Sequence, residues 1–409
     1  MAKLSEILRE RGYVHQHSSE TLEEITDGQK RTVYLGIDPS ADSLHVGNLV
    51  GLLALRHFIE DGHKVIILTG GGTGMIGDPG GKSEERNLLD EETVARNASA
   101  VAAQIRQVFG GKDFIEENNA KWLSTLNLLE FLRDVGKHFT VNAMIKKDIV
   151  RDRLEKESPI SFTEFSYSLL QGFDYLHLNS EYGCDVQVGG SDQWSNILAG
   201  VEFVRRKEEK SVYALTWPLV VNKSTGKKFG KSEEGAIWLD AKKTSPFRMY
   251  QFFLNVDDEA VGELLLKLTL LPKATVDDVV MDHAKNPGAR FAQRKLAQEV
   301  TRIVHGDDAL AAALTETDLR FKKDLTRADK DQIRTDIEVG MTIADVLVAQ
   351  GYAESKSAAR RLVEGKAVKI NGTLVDDVDR VLGKDDVDSD GMIVLTAGKS
   401  QPASVLALK

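Results

Sequence analysis

Three short apolar runs in the first half of the chain, Thr32–Ile37 (TVYLGI), Lys64–Thr69 (KVIILT) and Asp185–Val188 (DVQV), share one sequel. Each breaks into a glycine-containing loop, GIDPSADSLHVG, GGGTGMIGDPGG or GGSDQW, and each loop leads towards a helical pattern. Strand, loop and helix in alternation predict an α/β fold with a parallel sheet wrapped by helices. In an open sheet of that kind ligands lie beyond the carboxyl ends of the strands, so the three loops should meet at one site.

At 409 residues the chain exceeds what one core accommodates and predicts two or three domains. From about Lys242 to Arg320 the pattern is helical, and the charged stretch Arg320–Asp336 reads as an exposed linker. A small module follows, with helical segments Thr342–Gln350 and Ser355–Glu364 and short strands around Val368–Ile370 and Met392–Leu395. The expected boundaries are 1–222 for the α/β domain, 223–325 for a lysine loop plus helical domain, 326–340 for the linker and 341–409 for the module.

The formal charge of −10 excludes a protein that coats nucleic acid nonspecifically. It leaves room for a local basic surface, since screening confines fields to about 8–10 Å. The single cysteine, Cys184, excludes an internal disulfide and fits a reducing compartment. No apolar run approaches the length that crosses a bilayer, and the charged opening MAKLSEILRERGYVH lacks a signal peptide's apolar segment. A cytoplasmic protein with no membrane partner is expected.

The helix after the first run opens with His45-Val46-Gly47-Asn48, and Ser43 stands where it can cap that helix. A helix N-terminus offers free N–H groups and partial positive charge that suit a phosphate. Gly47 lets a flat ligand approach the backbone, and the His45 imidazole can donate to a phosphate oxygen. Further on, Lys227-Lys228-Phe229-Gly230-Lys231-Ser232 forms a cationic loop able to neutralise charge on a pyrophosphate leaving group. Taken singly, each has a plainer account: a histidine bonded to a local carbonyl, and a solvated basic turn. In Phe162–Leu178 the only charged residues are Glu164 and Asp174, so this helix is buried on most sides. Tyr167, Gln171 and Asp174 fall on one stripe of it. A buried carboxylate needs partners, and an internal hydrogen-bond network or the wall of a polar pocket would both supply them.

A His-x-Gly-x helix start paired with a Lys-x-x-Lys-Ser loop resembles the two signatures of class I aminoacyl-tRNA synthetases. Five ordered blocks, YLGIDPSADSLHVGN, GGGTGMIGDPGGKSEER, EFSYSLLQGFDYL, QVGGSDQWSNI and KFGKS, extend the resemblance over essentially the whole chain. They narrow it to bacterial-type tyrosyl-tRNA synthetases. The resemblance implies a Rossmann-like catalytic domain, a helical anticodon-side domain and a small α+β RNA-binding module. It implies an enzyme that activates L-tyrosine with ATP, releasing pyrophosphate, and then esterifies tRNA(Tyr).

Residue roles come with it. Tyr34 and Asp174 would bind the phenolic hydroxyl, and Tyr167, Gln171 and Asp78 the α-ammonium group, with Gln187 and Gln193 in the same pocket. Gln193 and Asp38 would orient the reacting groups. Asp192 would bond the ATP ribose, with Gly36, Asp38, Gly47 and Lys231 around the nucleotide. Ser40 and His45 would donate to the γ-phosphate, and Asn48, Lys228, Lys231 and Ser232 would complete the catalytic set. Asn48 departs from the commoner signature, which ends in a second histidine, yet its amide can still donate. Lys82 and Arg86 would touch pyrophosphate or RNA, or simply form an exposed charged helix start. No metal-ligand cluster is evident and no tightly bound cofactor is expected; Mg²⁺ would arrive with ATP. A homodimer is implied, and Asn127–Ile145 is apolar enough to form its interface, although intrachain packing explains that segment equally well.

In the module, SKSAARRLVEGKAVKINGTLV resembles the S4 RNA-binding fold. Lys356, Arg360, Arg361, Lys366 and Lys369 would then face RNA, read mainly through phosphate and shape. The acidic run Asp376–Asp390 leaves only a local basic patch. Two rival readings share these features. One is the sister enzyme for tryptophan, against which the Tyr34/Asp174 pair suits a phenol. The other is a catalytically silent RNA-binding relative, against which both signatures are intact.

Overall fold

Six strands build the first sheet: β1 (Gln16–His17), β2 (Thr32–Ile37), β3 (Lys64–Thr69), β4 (Ile115–Asn118), β5 (Cys184–Gly190) and β6 (Tyr213–Trp217). Their order is β1-β6-β5-β2-β3-β4, parallel throughout except for β1 against β6. The chain leaves β2 towards β3 on one side and later occupies β5 and β6 on the other, so β2 and β5 flank the switch point where such sheets bind ligands. The three strands expected from the sequence are the central ones. This computed structural model describes residues 2–409 apart from 79–88, 222–228, 233–234, 323, 354 and 399–400, with backbone alone at 148, 149, 231, 232 and 235.

The alternation of side chains along β2 sorts the two faces. Tyr34, with Ile66 beside it, packs under helices α3 (Phe162–Tyr182) and α4 (Trp194–Glu208), where Tyr175, Leu178, Phe203 and Val204 complete a buried cluster. On the opposite face, helix α1 (Val46–Glu60) lays Leu55 and Phe58 over Val188 and Leu215, with helix α2 (Glu91–Phe109) alongside α1. Burial of these side chains from water is the main stabilising term. The start of α3 is fixed by a Ser161–Glu164 capping box and by the buried Arg153 guanidinium, 3.0 Å from both Glu164 oxygens.

The chain divides into two compact units, Met1–Lys231 with Ala236–Ser245 and Gln251–Val304, and Ser232–Gly235 with Pro246–Tyr250 and His305–Lys409. The second holds a five-stranded sheet of β7 (Arg334–Ile337), β8 (Val368–Ile370), β9 (Thr373–Leu374), β10 (Ile393–Ala397) and β11 (Ser404–Leu408), ordered β9-β8-β10-β11-β7. Helices α5 (Ile343–Ala349) and α6 (Lys356–Glu364) belong to the same core through Ile343, Val346, Leu347, Ala359 and Val363. The stretch expected as a linker is structured: Arg327–Ile333 is helical and Arg334–Ile337 is the strand β7, parallel to β11. Its charges are used, since Lys330 pairs with Asp388 at 2.5 Å and with Asp390 at 2.6 Å. Among the described residues no helix is long and apolar enough to cross a membrane.

Candidate active site

Helix α1 is capped by His45 itself, which corrects the expectation that Ser43 does so. The Gly47 N–H donates to His45 Nδ1 at 3.0 Å, and the His45 N–H donates to Asn48 Oδ1 at 3.1 Å, a reciprocal pair that closes the first turn. Ser43 instead accepts from the Asp240 N–H and donates to the Leu44 carbonyl. Because Nδ1 is the acceptor, the neutral ring carries its proton on Nε2. Gly47 is required for this fold-back, as a Cβ there would sit 2.8 Å from the imidazole Cε1. Asn48 thus spends its carbonyl oxygen on the cap and keeps its amide group to donate.

The backbone ties this helix start to the lysine loop. The Val46 N–H donates to the Ile237 carbonyl at 2.9 Å, and the Ile237 N–H donates to the Gly230 carbonyl at 2.8 Å. Gly230, at φ +80°, packs with its would-be Cβ 3.2 Å from Val46. The two signatures that the sequence separates by some 180 positions are therefore in contact through Phe229-Gly230. Lys228, Lys82 and Arg86 lie outside the described residues, as do the side chains of Lys231 and Ser232.

Beyond β2 the aromatic pocket is assembled from three strand ends and α3. Tyr34 is 1% exposed, its ring meets Tyr175 edge-on at 5.2 Å, and its hydroxyl has no hydrogen-bond partner. Asp174 is equally deep, and its two oxygens accept from Trp122 Nε1 at 2.8 Å and Asn119 Nδ2 at 2.9 Å. Burial pushes the Asp174 carboxyl up to about 7, against the lowering effect of those two donors. Burial, reinforced by Asp174, holds the Tyr34 phenol well above its ordinary range.

From Asp174 a chain of hydrogen bonds runs across the pocket. Asn119 also donates to Thr73 Oγ1 at 3.0 Å, Thr73 donates to Asp38 Oδ1 at 2.7 Å, and Tyr167 donates to Asp38 Oδ2 at 2.8 Å. Gly70 leaves no room for a Cβ, which would run into Asp38 and Thr73. A second cluster lies beside it: Gln193 donates to Asp78 Oδ2 at 2.6 Å, and Gln171 lies 3.4 Å from Gln193. Gln171 Oε1 and Gln187 Oε1 are buried without partners. Tyr167, Gln171 and Asp174 thus share one face of α3, as their spacing implies. Asp192 sits in the turn Ser191–Gln193 at the end of β5. Ser40 is exposed beyond β2, and Gly36 is exposed with open space where a Cβ would go. Among the described residues no three His, Cys, Asp or Glu side chains gather as a metal site.

Asn119, Trp122 and Thr73 are the pocket residues that sequence reasoning missed. Asn119 directly follows β4, whose sequence IEEN gives no apolar signal. Its position past a strand end is the one clue available.

Of the five cations expected to face RNA, Lys356 pairs with Asp345 at 2.7 Å and Arg360 with Asp379 at 2.9 Å. Arg361, Lys366 and Lys369 are exposed and make no ion pair among the described residues.

A parallel sheet with its switch point at β2/β5, a histidine-capped helix start and an apposed lysine loop define the catalytic core of a class I aminoacyl-tRNA synthetase. The family described as "tRNA synthetases class I (W and Y)" matches residues 26–322, and the "Tyrosine--tRNA ligase SYY-like C-terminal domain" matches 324–403. The "Tyrosine--tRNA ligase" of Roseiflexus castenholzii is 46% identical, over 98% of both chains, and that of Dechloromonas aromatica is 44% identical, over 96% of both. A C-terminally truncated mitochondrial tyrosyl-tRNA synthetase of Aspergillus nidulans superimposes with a TM-score of 0.69 at 31% identity, covering 76% of this chain and 92% of that one. The chain belongs to the tyrosine–tRNA ligase family.

Proposed function

We propose that the pocket between β2, β5 and α3 binds L-tyrosine and that the chain joins it, through an adenylate, to tRNA(Tyr). The observation that carries this reading is the buried Tyr34 hydroxyl, unpartnered, beside a carboxylate that Asn119 and Trp122 hold in place. A phenol entering there donates to Asp174 and accepts from Tyr34, satisfying groups that are costly to leave unmade. Sites built to bond a substrate hydroxyl discriminate by about 10⁵-fold, a magnitude measured on tyrosyl-tRNA synthetases themselves rather than obtained from this geometry. A tryptophan indole offers no acceptor for Tyr34.

At the other end of the amino acid, Asp78, Tyr167 and Gln171 receive the α-ammonium group, with Gln193 bracing Asp78. The tyrosine carboxylate, already ionised at neutral pH, attacks the α-phosphate of ATP without a general base. Catalysis is alignment and electrostatic stabilisation. The nucleotide lies over Gly36, where no side chain obstructs it, and beside Gly47, with Asp192 on its ribose. His45 donates to the phosphates through Nε2–H, together with Ser40, the Asn48 amide and the loop residues Lys228, Lys231 and Ser232. Mg²⁺ travels on the triphosphate. A ribose hydroxyl of the tRNA 3′ end then takes the tyrosyl group. Arg361, Lys366 and Lys369, with Lys356 and Arg360 at their edge, offer phosphate contacts to RNA.

The segment Asn127–Ile145 exposes Leu128 (68%), Leu129 (76%), Leu132 and Val141, a patch suited to a homodimer interface in a cytoplasmic enzyme. Amino-acid-dependent exchange of pyrophosphate into ATP tests the function. Exchange supported by tyrosine and not by tryptophan or phenylalanine is expected; exchange with none of the three would leave a silent RNA-binding relative.

A further inference from the structure

Asp174 owes the direction of its carboxylate to two donors, Asn119 and Trp122, and the two are not held alike. The Asn119 side chain accepts from the Gly72 N–H at 2.8 Å and donates to Thr73 at 3.0 Å and to Asp174 at 2.9 Å. It is braced on several sides. The Trp122 indole has one N–H to give, and Asp174 Oδ1 takes it at 2.8 Å. Its backbone is the four-residue helix Ala120–Leu123. A single hydrogen bond fixes one point of the ring and leaves its plane free to swing about that point. What meets the plane is His177, whose imidazole stacks on the indole with centroids 4.0 Å apart and ring planes 25° apart.

His177 belongs to α3, three positions beyond Asp174, so the two side chains are neighbours on that helix. One helix therefore grips the same indole twice, by its N–H edge and by its ring face. Burial keeps the His177 imidazole below its ordinary range, against the raising effect of Glu181 and Glu117. At neutral pH the ring is thus uncharged and offers Trp122 a flat aromatic surface.

We propose that His177 is a positioning residue for substrate selection: by holding the plane of Trp122 it keeps the indole N–H on Asp174, and so keeps that carboxylate aimed at a phenolic hydroxyl. The proposal rests on the reading of Asp174 as the phenol site. Its consequence is selective. Tyrosine uses the aimed carboxylate and phenylalanine has no hydroxyl to present, so loosening Trp122 weakens the first and spares the second. The loss should be on the scale of one aromatic pair, roughly three- to tenfold.

The experiment measures kcat/KM for tyrosine and for phenylalanine in pyrophosphate exchange, with urea unfolding of the same proteins. The variants are H177A, H177L, H177F, W122F and the double variant H177A/W122F. H177A should lose that factor in tyrosine kcat/KM, through KM, with the phenylalanine value held. H177F, which restores a flat ring, should restore tyrosine; H177L, which restores bulk alone, should not. In the W122F background there is no N–H to aim, so H177A should narrow the margin no further. An unchanged margin in H177A overturns the proposal. Equal rescue by H177L and H177F also overturns it, since His177 would then be simple filling. Failure of H177F does the same, by assigning the effect to the ring nitrogens. So does a parallel fall for both substrates with lowered urea stability, the mark of a purely structural residue. If Asp174→Ala leaves the margin intact, the phenol-site reading itself fails; if Asp174→Ala collapses it while H177A matches wild type, only the role of His177 fails.

Discussion

Tyr34 on β2 and Gln187 on β5 are register partners across the central parallel pair, and each buries an oxygen that no hydrogen bond satisfies. Such groups cost about 1–3 kcal/mol each while unpaired, so a bound group that pairs with them is favoured by that amount. Tyr34→Phe should therefore leave the ligand-free enzyme as stable as wild type or about 1 kcal/mol more stable in urea unfolding. The same change should weaken tyrosine binding and narrow its margin over phenylalanine in pyrophosphate exchange. Asp174→Ala should collapse that margin; undiminished selectivity would remove Asp174 from the phenol site.

His45 has two separable jobs. His45→Ala removes both the cap and the Nε2 donor, and should slow adenylate formation by about 10²–10³-fold with tyrosine Kd nearly unchanged. His45→Asn keeps a good N-cap residue. It should recover most of the roughly 1 kcal/mol of helix stability and little of the rate. Stopped-flow activation alongside thermal unfolding reads both.

The Asp174 carboxyl gives the fold a definite pH dependence. Its pKa is about 7 folded, against the ordinary carboxylate value near 4 unfolded, so the folded state holds a proton that the unfolded chain has lost. Stability from this group is fully present below pH 4, declines as pH rises towards 7 and levels off above it. Urea titrations of the ligand-free protein at pH 5, 6 and 7.5 should show that decline, and Asp174→Asn should flatten it.

Gly36 separates folding from function. Open space surrounds its would-be Cβ and its φ is not in the left-handed region, so Gly36→Val should fold with equal or slightly greater stability. The valine fills the ground over which the nucleotide would lie. Adenylate formation should be lost while tyrosine binding, followed by equilibrium dialysis, persists.

In the module, the unpaired cations should matter more than the paired ones. Arg361→Ala and Lys369→Ala should weaken tRNA binding across sequences and each reduce the salt dependence by about one unit of slope. Arg360→Ala should have a smaller effect, because Asp379 already engages that guanidinium. Filter binding at 50 and 200 mM salt distinguishes them.

The central strands, the capped helix start and the Tyr167/Gln171/Asp174 stripe were legible because apolar runs and helical spacing are written in adjacent residues. β4 was not, since an edge strand with one covered face tolerates IEEN, and β1, two residues long, carries no pattern at all. With β4 hidden, Asn119 and Trp122 were hidden too: their role exists only once the strand end places them against Asp174. The charged stretch before the module resembled solvated linker because its partners, Asp388 and Asp390, lie nearly sixty residues downstream. Local pattern cannot register a partner so distant. The cap was misassigned to Ser43 because an imidazole that folds back onto its own helix depends on the missing side chain of Gly47.

The relay Trp122–Asp174–Asn119–Thr73–Asp38–Tyr167 means that the two ends of the pocket are not independent modules. Its donors converge on the two carboxylates: Trp122 and Asn119 donate to Asp174, Asn119 also donates to Thr73, and Thr73 and Tyr167 donate to Asp38. Retailoring the aromatic end for an unnatural side chain, by removing the charge at Asp174, frees Asn119 to turn, and that turn is felt by Thr73 and Asp38. Redesigned variants should thus need compensating changes at the amino end before they regain speed, even when the new ring fits.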